Sequence, residues 1–378
     1  MKKLLCLLLL LLLPVLVCAE EIPFTETPLD FGGDVQRIAG AVQLPEGQIA
    51  INYHINAGAD WVEALAAFDA QGNLLWNQEL YTYEANMYPK VRILAMRGEE
   101  IECVLFDQIA SDDCLHRHET RLSLSGEVLG TTDSGMVPLM EKPTVSRSGD
   151  FQVEEFFGDY MGEETPLTIT HLPTGNTRQH VLPAGRGNFH AFGERLMYIR
   201  HGSEEDTGLW LFDEKGDILA ENAPLPFEGG VPVVAYSAQD EQSLYLFSWD
   251  NGGVGAQENF YTVWPVDADM KVQEPLCSFT LGSVEPEEGV FMIDKSISLY
   301  KPVRCGAGFL LLAMHPWVWQ EPLRYDLCYL SMEGELTVLD TLAQADNDEV
   351  LLLPGEEAGM ARLILRSGNG YVQRVYGE

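Results

Sequence analysis

The chain has 378 residues, 58 of them Asp or Glu against 23 Lys or Arg, a formal charge of −35 at pH 7. A surface of that sign repels phosphate backbones and anionic lipid headgroups. Nucleic acid and membrane surfaces are therefore not expected as partners, while cations, basic peptides and neutral sugars remain. Acidity that only keeps the protein soluble is the plainer reading.

In chain order, the first feature is the leader MKKLLCLLLLLLLPVLVCAEE. Lys2 and Lys3 precede an apolar run from Leu4 to Val17, and Val17-Cys18-Ala19 has the small residues of a cleavage site. This predicts a secretory signal peptide over residues 1–19 and a secreted domain over 20–378. Lipid attachment at Cys18 is the alternative, and the bulk of Val17 argues against it. Losing Lys2 and Lys3 leaves 21 basic residues against 58 acidic ones, a charge of −37. No later stretch approaches the roughly 18 apolar residues of a spanning helix, so no membrane span is expected.

Five cysteines follow: Cys103, Cys114, Cys277, Cys305 and Cys328. An odd count with no C-x-x-C excludes a dense disulfide framework and a zinc knuckle. Cys103 with Cys114, or Cys305 with Cys328, would pair only if they face one another across neighbouring strands. Buried free thiols are the other reading.

The stretch AAFDAQGNLLWNQEL, residues 66–80, reads as two short strands around a turn at Asp69–Gly72. Similar stretches recur around Gly126, Gly175, Gly216, Asp269 and Gly334, at spacings of 54, 49, 41, 53 and 65 residues. In each, a β-rich run meets a polar turn, with Gly or Asp at the position of positive φ, and a second run follows. Two further strand-like runs fill each interval, as in VQRIAGAVQL and QIAINYHI before the first turn. Four strands repeated every ~40–55 residues, with almost no helical periodicity, predict the blades of an all-β single propeller. Trp61–Ala70 is rich in alanine, yet its place in the repeat makes it strand.

Six such blades reach about Ala343, and the tail supplies three more strands. An N-terminal strand within Ile22–Gly32 completes a seventh, closing the ring and removing both exposed edges. Seven four-stranded blades are therefore expected over six blades with an appendage.

The residues Ala67-Phe68-Asp69-Ala70-Gln71-Gly72-Asn73-Leu74-Leu75-Trp76 resemble the A-x-D-x-x-[T]-G-x-x-x-W repeat of the PQQ-type, quinoprotein-like β-propellers. The resemblance implies a propeller in which Trp76 packs on the neighbouring blade and Gly72 permits the turn. Elsewhere the motif is partial: Asp213 and Gly216 keep the turn without the Trp. No quinone ligand maps onto this chain, so no PQQ cofactor is expected. The structural repeat residues are thus Asp69, Gly72, Trp76, Gly126, Gly175, Asp213, Gly216 and Gly334.

In such a blade the strand 1–2 and 3–4 hairpins share one face, and the strand 2–3 loops emerge on the other. Six of those loops fall at 56–61, 107–114, 158–165, 201–208, 249–259 and 315–325. They combine carboxylates with aromatics, which suits a shallow surface that stacks on a sugar or peptide and grips hydroxyls or cations. Candidate ligand residues are Asp60, Trp61, Asp159, Tyr160, Trp249, Asp250, His315, Trp317 and Trp319. Against this, single carboxylates are usually just solvated, and tryptophans wedge between blades. His116 and His118 alternate on one strand face but lack a third ligand, so a solvated face is expected there and no metal site. DADMKVQE and ADNDE are acidic without calcium-loop spacing, which keeps calcium only as a remote alternative.

The expected function is a non-catalytic module, monomeric, that binds an extracellular protein or glycan through the strand 2–3 loops. The alternative is an extracellular hydrolase or lyase acting on polysaccharide with rim carboxylates; the rim offers too many carboxylate pairs to name a catalytic one.

Overall fold

The computed structural model describes residues 22–377 other than 59, 85–89, 110–113, 139–142, 157–163, 184–185, 202–207, 226–232, 241, 251–257, 285–294, 317–322 and 345–349. These residues form seven antiparallel sheets of four strands each.

After the opening strand β1 (Phe24–Leu29), blade 1 comprises β2 (Arg37–Gln43), β3 (Ile49–Ala57), β4 (Asp60–Phe68) and β5 (Leu74–Glu84). Blade 2 is β6 (Lys90–Arg97), β7 (Glu100–Ile109), β8 (Cys114–Ser123) and β9 (Val128–Pro138). Blade 3 is β10 (Pro143–Ser148), β11 (Phe151–Phe156), β12 (Glu164–His171) and β13 (Asn176–Pro183). Blade 4 is β14 (Arg186–Phe192), β15 (Arg195–His201), β16 (Gly208–Phe212) and β17 (Ile218–Ala223). Blade 5 is β18 (Val233–Gln239), β19 (Leu244–Asp250), β20 (Asn259–Val266) and β21 (Cys277–Leu281). Blade 6 is β22 (Ser298–Cys305), β23 (Gly308–Met314), β24 (Leu323–Ser331) and β25 (Leu336–Gln344).

The last blade runs in the order β1-β28-β27-β26, with β26 (Leu351–Pro354), β27 (Ala361–Ser367) and β28 (Gly370–Tyr376). Its outer strand thus comes from the other end of the chain, as expected. Phe24 to Leu29 pair with Tyr376 to Tyr371 in unbroken register. Arg374 ties this closure to its surroundings, donating to Glu26 at 2.7 Å and to Asp340 of β25 at 2.9 Å. The innermost strands meet around the ring, β2 with β6, β18 with β22, β22 with β26 and β26 with β2.

Strand alternation sends every second side chain to each neighbouring blade. Between blades 7 and 1, Phe31, Ile38, Tyr53 and Phe68 pack with Leu351, Ile364 and Tyr371. Between blades 3 and 4, Phe151, Val153 and Ile169 pack with Leu196, Tyr198, Trp210 and Phe212. Comparable apolar clusters join blades 1 and 2, 4 and 5, 5 and 6, and 6 and 7. The junction of blades 2 and 3 differs: its apolar cluster is Ile93 and Val104 with the half-buried Ala95 and Val145. Beside that cluster, among the described residues, lies a buried ion pair. Arg147 of β10 pairs with Glu102 of β7, and both side chains are only 9% exposed.

The 3–4 turns are built as read from the sequence at Gly72, Gly126, Gly175, Gly216 and Gly334, all at positive φ. Asp213 Oδ1 accepts from the amides of Lys215 and Asp217, and Asp69 Oδ1 from that of Asn73. The fifth turn is corrected in one respect. Met270, not Asp269, takes the left-handed conformation, at φ 62°. Asp267 stabilises it by accepting from the amides of Asp269 and Lys271, so DADMKVQE forms a side-chain-capped turn. The second acidic run, 345–349, lies outside the described residues.

Cysteine pairing is settled by register. Cys103 stands opposite Thr120, while Cys114 stands opposite Ile109. Cys305 faces Gly308, and Cys328 faces Leu311. Cys103, Cys277, Cys305 and Cys328 are free thiols.

Candidate functional site

The topology places the strand 2–3 loops of blades 1 to 6 on one face and the hairpins on the other. Asp159, Tyr160, Trp317 and Trp319 lie outside the described residues. Asp250 ends β19 opposite Phe260. Asp60 begins β4, exposed, and the half-buried Trp61 stands between Asn56 and Tyr83 in the register. Trp249 is half-buried against the cluster between blades 5 and 6, and its indole Nε1 donates to Asn259 Oδ1 at 2.9 Å. Asn259 in turn donates to the Ile297 carbonyl of the next blade at 2.9 Å. The Trp249 indole therefore braces two blades beneath the rim.

His315 opens the sixth loop, directly after β23. Its Nε2 lies 2.8 Å from Asp326 Oδ2, and the other Asp326 oxygen accepts from Thr341 Oγ1 at 2.8 Å. The His315 amide donates to the Arg324 carbonyl at 2.9 Å, closing the neck of that loop. Three strands, β23, β24 and β25, thus converge on one carboxylate at the base of the segment that carries Trp317 and Trp319.

A second polar group sits under the first loop, between blades 1 and 2. His54 Nδ1 lies 3.3 Å from Arg37 Nε and 3.2 Å from the Tyr83 hydroxyl, while Nε2 lies 2.9 Å from Glu63 Oε2. An Nδ1 that accepts from Arg37 leaves the proton on Nε2, facing Glu63. Both side chains are buried, at 2% and 0% exposure. Glu63 approaches off the ring N–H axis, so neither of its oxygens receives a well-aligned hydrogen bond from the described residues. Asn52 Oδ1 and Thr120 Oγ1 are buried nearby in the same condition. A desolvated carboxylate among such atoms favours whatever donor enters, water included.

Sequence reasoning did not single out His54, Glu63 or Asp326. The signal was a charged residue on the inward phase of an otherwise apolar strand: Glu63 within WVEALAAF, Asp326 within YDLCYL. Glu155, near the end of β11, belongs to the same kind. Burial pushes its carboxyl up from an ordinary 4.5 to about 7. The buried thiols, by contrast, are held in their protonated form. Burial chiefly raises Cys305 to about 11 and Cys328 to about 12, and drives Cys103 upward as well, reinforced by Glu63.

His116 and His118 are not on a solvated face. Tyr81 of blade 1 packs on both, at 6.3 and 5.0 Å between ring centroids, and His116 bonds Asp133 at 2.6 Å. Among the described residues no group of three His, Cys, Asp or Glu has metal-binding geometry. No helix among them is long and apolar enough to cross a membrane.

No protein-family model and no curated protein sequence matches the chain. Solved structures resemble it in overall course. A prolyl endopeptidase gives a TM-score of 0.49 at 12% identity over 88% of this chain and 46% of that one. The chain therefore spans less than half the length of that protease. The β-propeller domain of the Trilobed protease from Pyrococcus furiosus gives 0.46 at 8% identity, covering 91% of this chain and 94% of that domain. The polysaccharide lyase Uly1 gives 0.46 at 10% identity, covering 93% and 92%. The likeness is one of fold. The function is argued below from the chain's own residues.

Proposed function

We propose that this chain is an exported, monomeric β-propeller that binds a glycan or protein outside the cell through its strand 2–3 loops, without catalysis. The observation that carries this reading is the anchoring of the sixth loop. His315 and Thr341 are each hydrogen-bonded to Asp326. They hold the loop at its neck, and within that loop Trp317 and Trp319 are the residues that the sequence singles out for a ligand. A rigid scaffold that presents variable loops is the usual setting of a binding site. His54 beneath the first loop is likewise held at Nδ1, by Arg37 and Tyr83, with Glu63 beside its other nitrogen. The reading needs no quinone and no metal.

A combined glycan and peptide array, probed with the purified protein, tests it. The expected result is a defined set of bound ligands, with Trp317→Ala and Trp319→Ala each weakening binding at least tenfold. Array binding that both substitutions leave intact would move the site off this face.

A further inference from the structure

Neighbouring blades are sealed where an outer-strand side chain of one lies against the 3–4 turn of the next. Trp76 lies so against Gly126, Arg178 against Gly216 and Cys277 against Gly334. Blade 2 breaks the pattern. Trp76 stands opposite Ala67, and Gly130 stands opposite Arg121, each one step beyond the same register shift. Gly130 thus occupies the wedge position with no side chain to offer. In blade 3, the matching turn glycine, Gly175, has no atom of the described residues within 4 Å of where its Cβ would be.

Gly130 lines a cleft of about 330 Å³, within the size range of small-molecule sites, and the Arg121 guanidinium reaches over it. All four strands of blade 2 line it, through Arg97, Glu100 and Glu102, Glu119 and Arg121, and Gly130 and Thr132. At its base Glu102 holds Arg147, whose Nη1 is buried without an acceptor among the described residues. Nearer solvent, Arg121 reaches Glu100 at 3.1 Å, and Arg97 reaches Glu102 at 3.5 Å. Arg121 and Arg97 are 48% and 47% exposed, so these outer pairs are weak and exchangeable.

The charges select the guest. An anion that takes Arg121 strands Glu100, and a cation that takes Glu100 strands Arg121. A molecule with both charges replaces the pair without leaving either partner uncompensated. We propose that the cleft between blades 2 and 3 is a second ligand site, on the hairpin side of the molecule, that binds a small zwitterion of the dipeptide class. The carboxylate goes to Arg121 and Arg97, and the ammonium to Glu100, while Glu119 beside it keeps its pair with Arg117.

Titration calorimetry of the purified protein against free dipeptides, beside their N-acetylated and C-amidated forms, tests this. Free dipeptides are expected to bind, and capping either end is expected to weaken binding at least tenfold. Gly130→Trp, which restores the wedge, should abolish binding. Glu100→Gln and Arg121→Gln, both at partly exposed positions, should each weaken it at least fivefold and carry the test if Gly130→Trp does not fold. The proposal is overturned if no free dipeptide binds, if capped and free forms bind alike, or if both charge substitutions leave the affinity unchanged.

Discussion

Trp76, on the outer strand of the first blade, closes over Gly126 in the turn of the second. Its indole Nε1 donates to the Leu124 carbonyl at 2.8 Å, and a Cβ on Gly126 would stand 2.6 Å from its ring. Gly126 also sits at φ +82°, a conformation L side chains rarely adopt.

Gly126→Ala therefore meets both a clash and a backbone penalty, and should cost about 2–4 kcal/mol. Trp76→Ala should cost about 2–3 kcal/mol, the lower range for a half-buried aromatic. Because the alanine methyl no longer collides once the ring is gone, the double variant should cost less than the sum. Urea unfolding of the four proteins checks this.

The buried ion pair between blades 2 and 3 makes a different prediction. Arg147→Met leaves Glu102 buried with only the longer contact to the half-exposed Arg97, and should cost about 3–5 kcal/mol at most. Adding Glu102→Leu removes the stranded charge and should recover most of that loss, since an apolar pair of similar size replaces an ion pair at little net cost. Equal and additive losses in the two single variants and the double would contradict the seam geometry.

The repeat was legible because its turns obey local chemistry. Asp69 and Asp213 cap their turns, and glycines supply positive φ, so hairpins and blade count follow from spacing. Met270 escaped that logic, since an apolar residue held left-handed by the Asp267 cap carries no sequence signal of its own. Gly130 reads as an ordinary strand glycine until it is set against Trp76 through the register. The pairs His54–Glu63 and His315–Asp326 join residues on different strands, and only the fold brings them together. The rim residues came from topology alone, which places loops on a face without saying what they grip.

Glu155 gives the loop side a pH dependence. Its carboxyl titrates near 7 in the fold and near 4.5 when unfolded, burial being the cause. Between those values the folded state holds a proton that the unfolded chain has released, so its contribution to stability falls as pH rises from 4.5 to 7. Glu155→Gln removes that loss. The variant should match the parent at pH 4 and exceed it by about 1–3 kcal/mol at pH 8 in thermal or urea unfolding. A difference independent of pH would show that burial does not control this group.

The central claim is that the loop face binds without turning its ligand over. It is tested most directly by following the best array ligand with stoichiometric protein over hours, reading new reducing ends or cleaved peptide bonds. The account predicts a bound complex and intact ligand, before and after Asp60→Asn. Steady release of product, abolished by a single rim carboxylate substitution, would contradict it and make the chain a hydrolase or lyase.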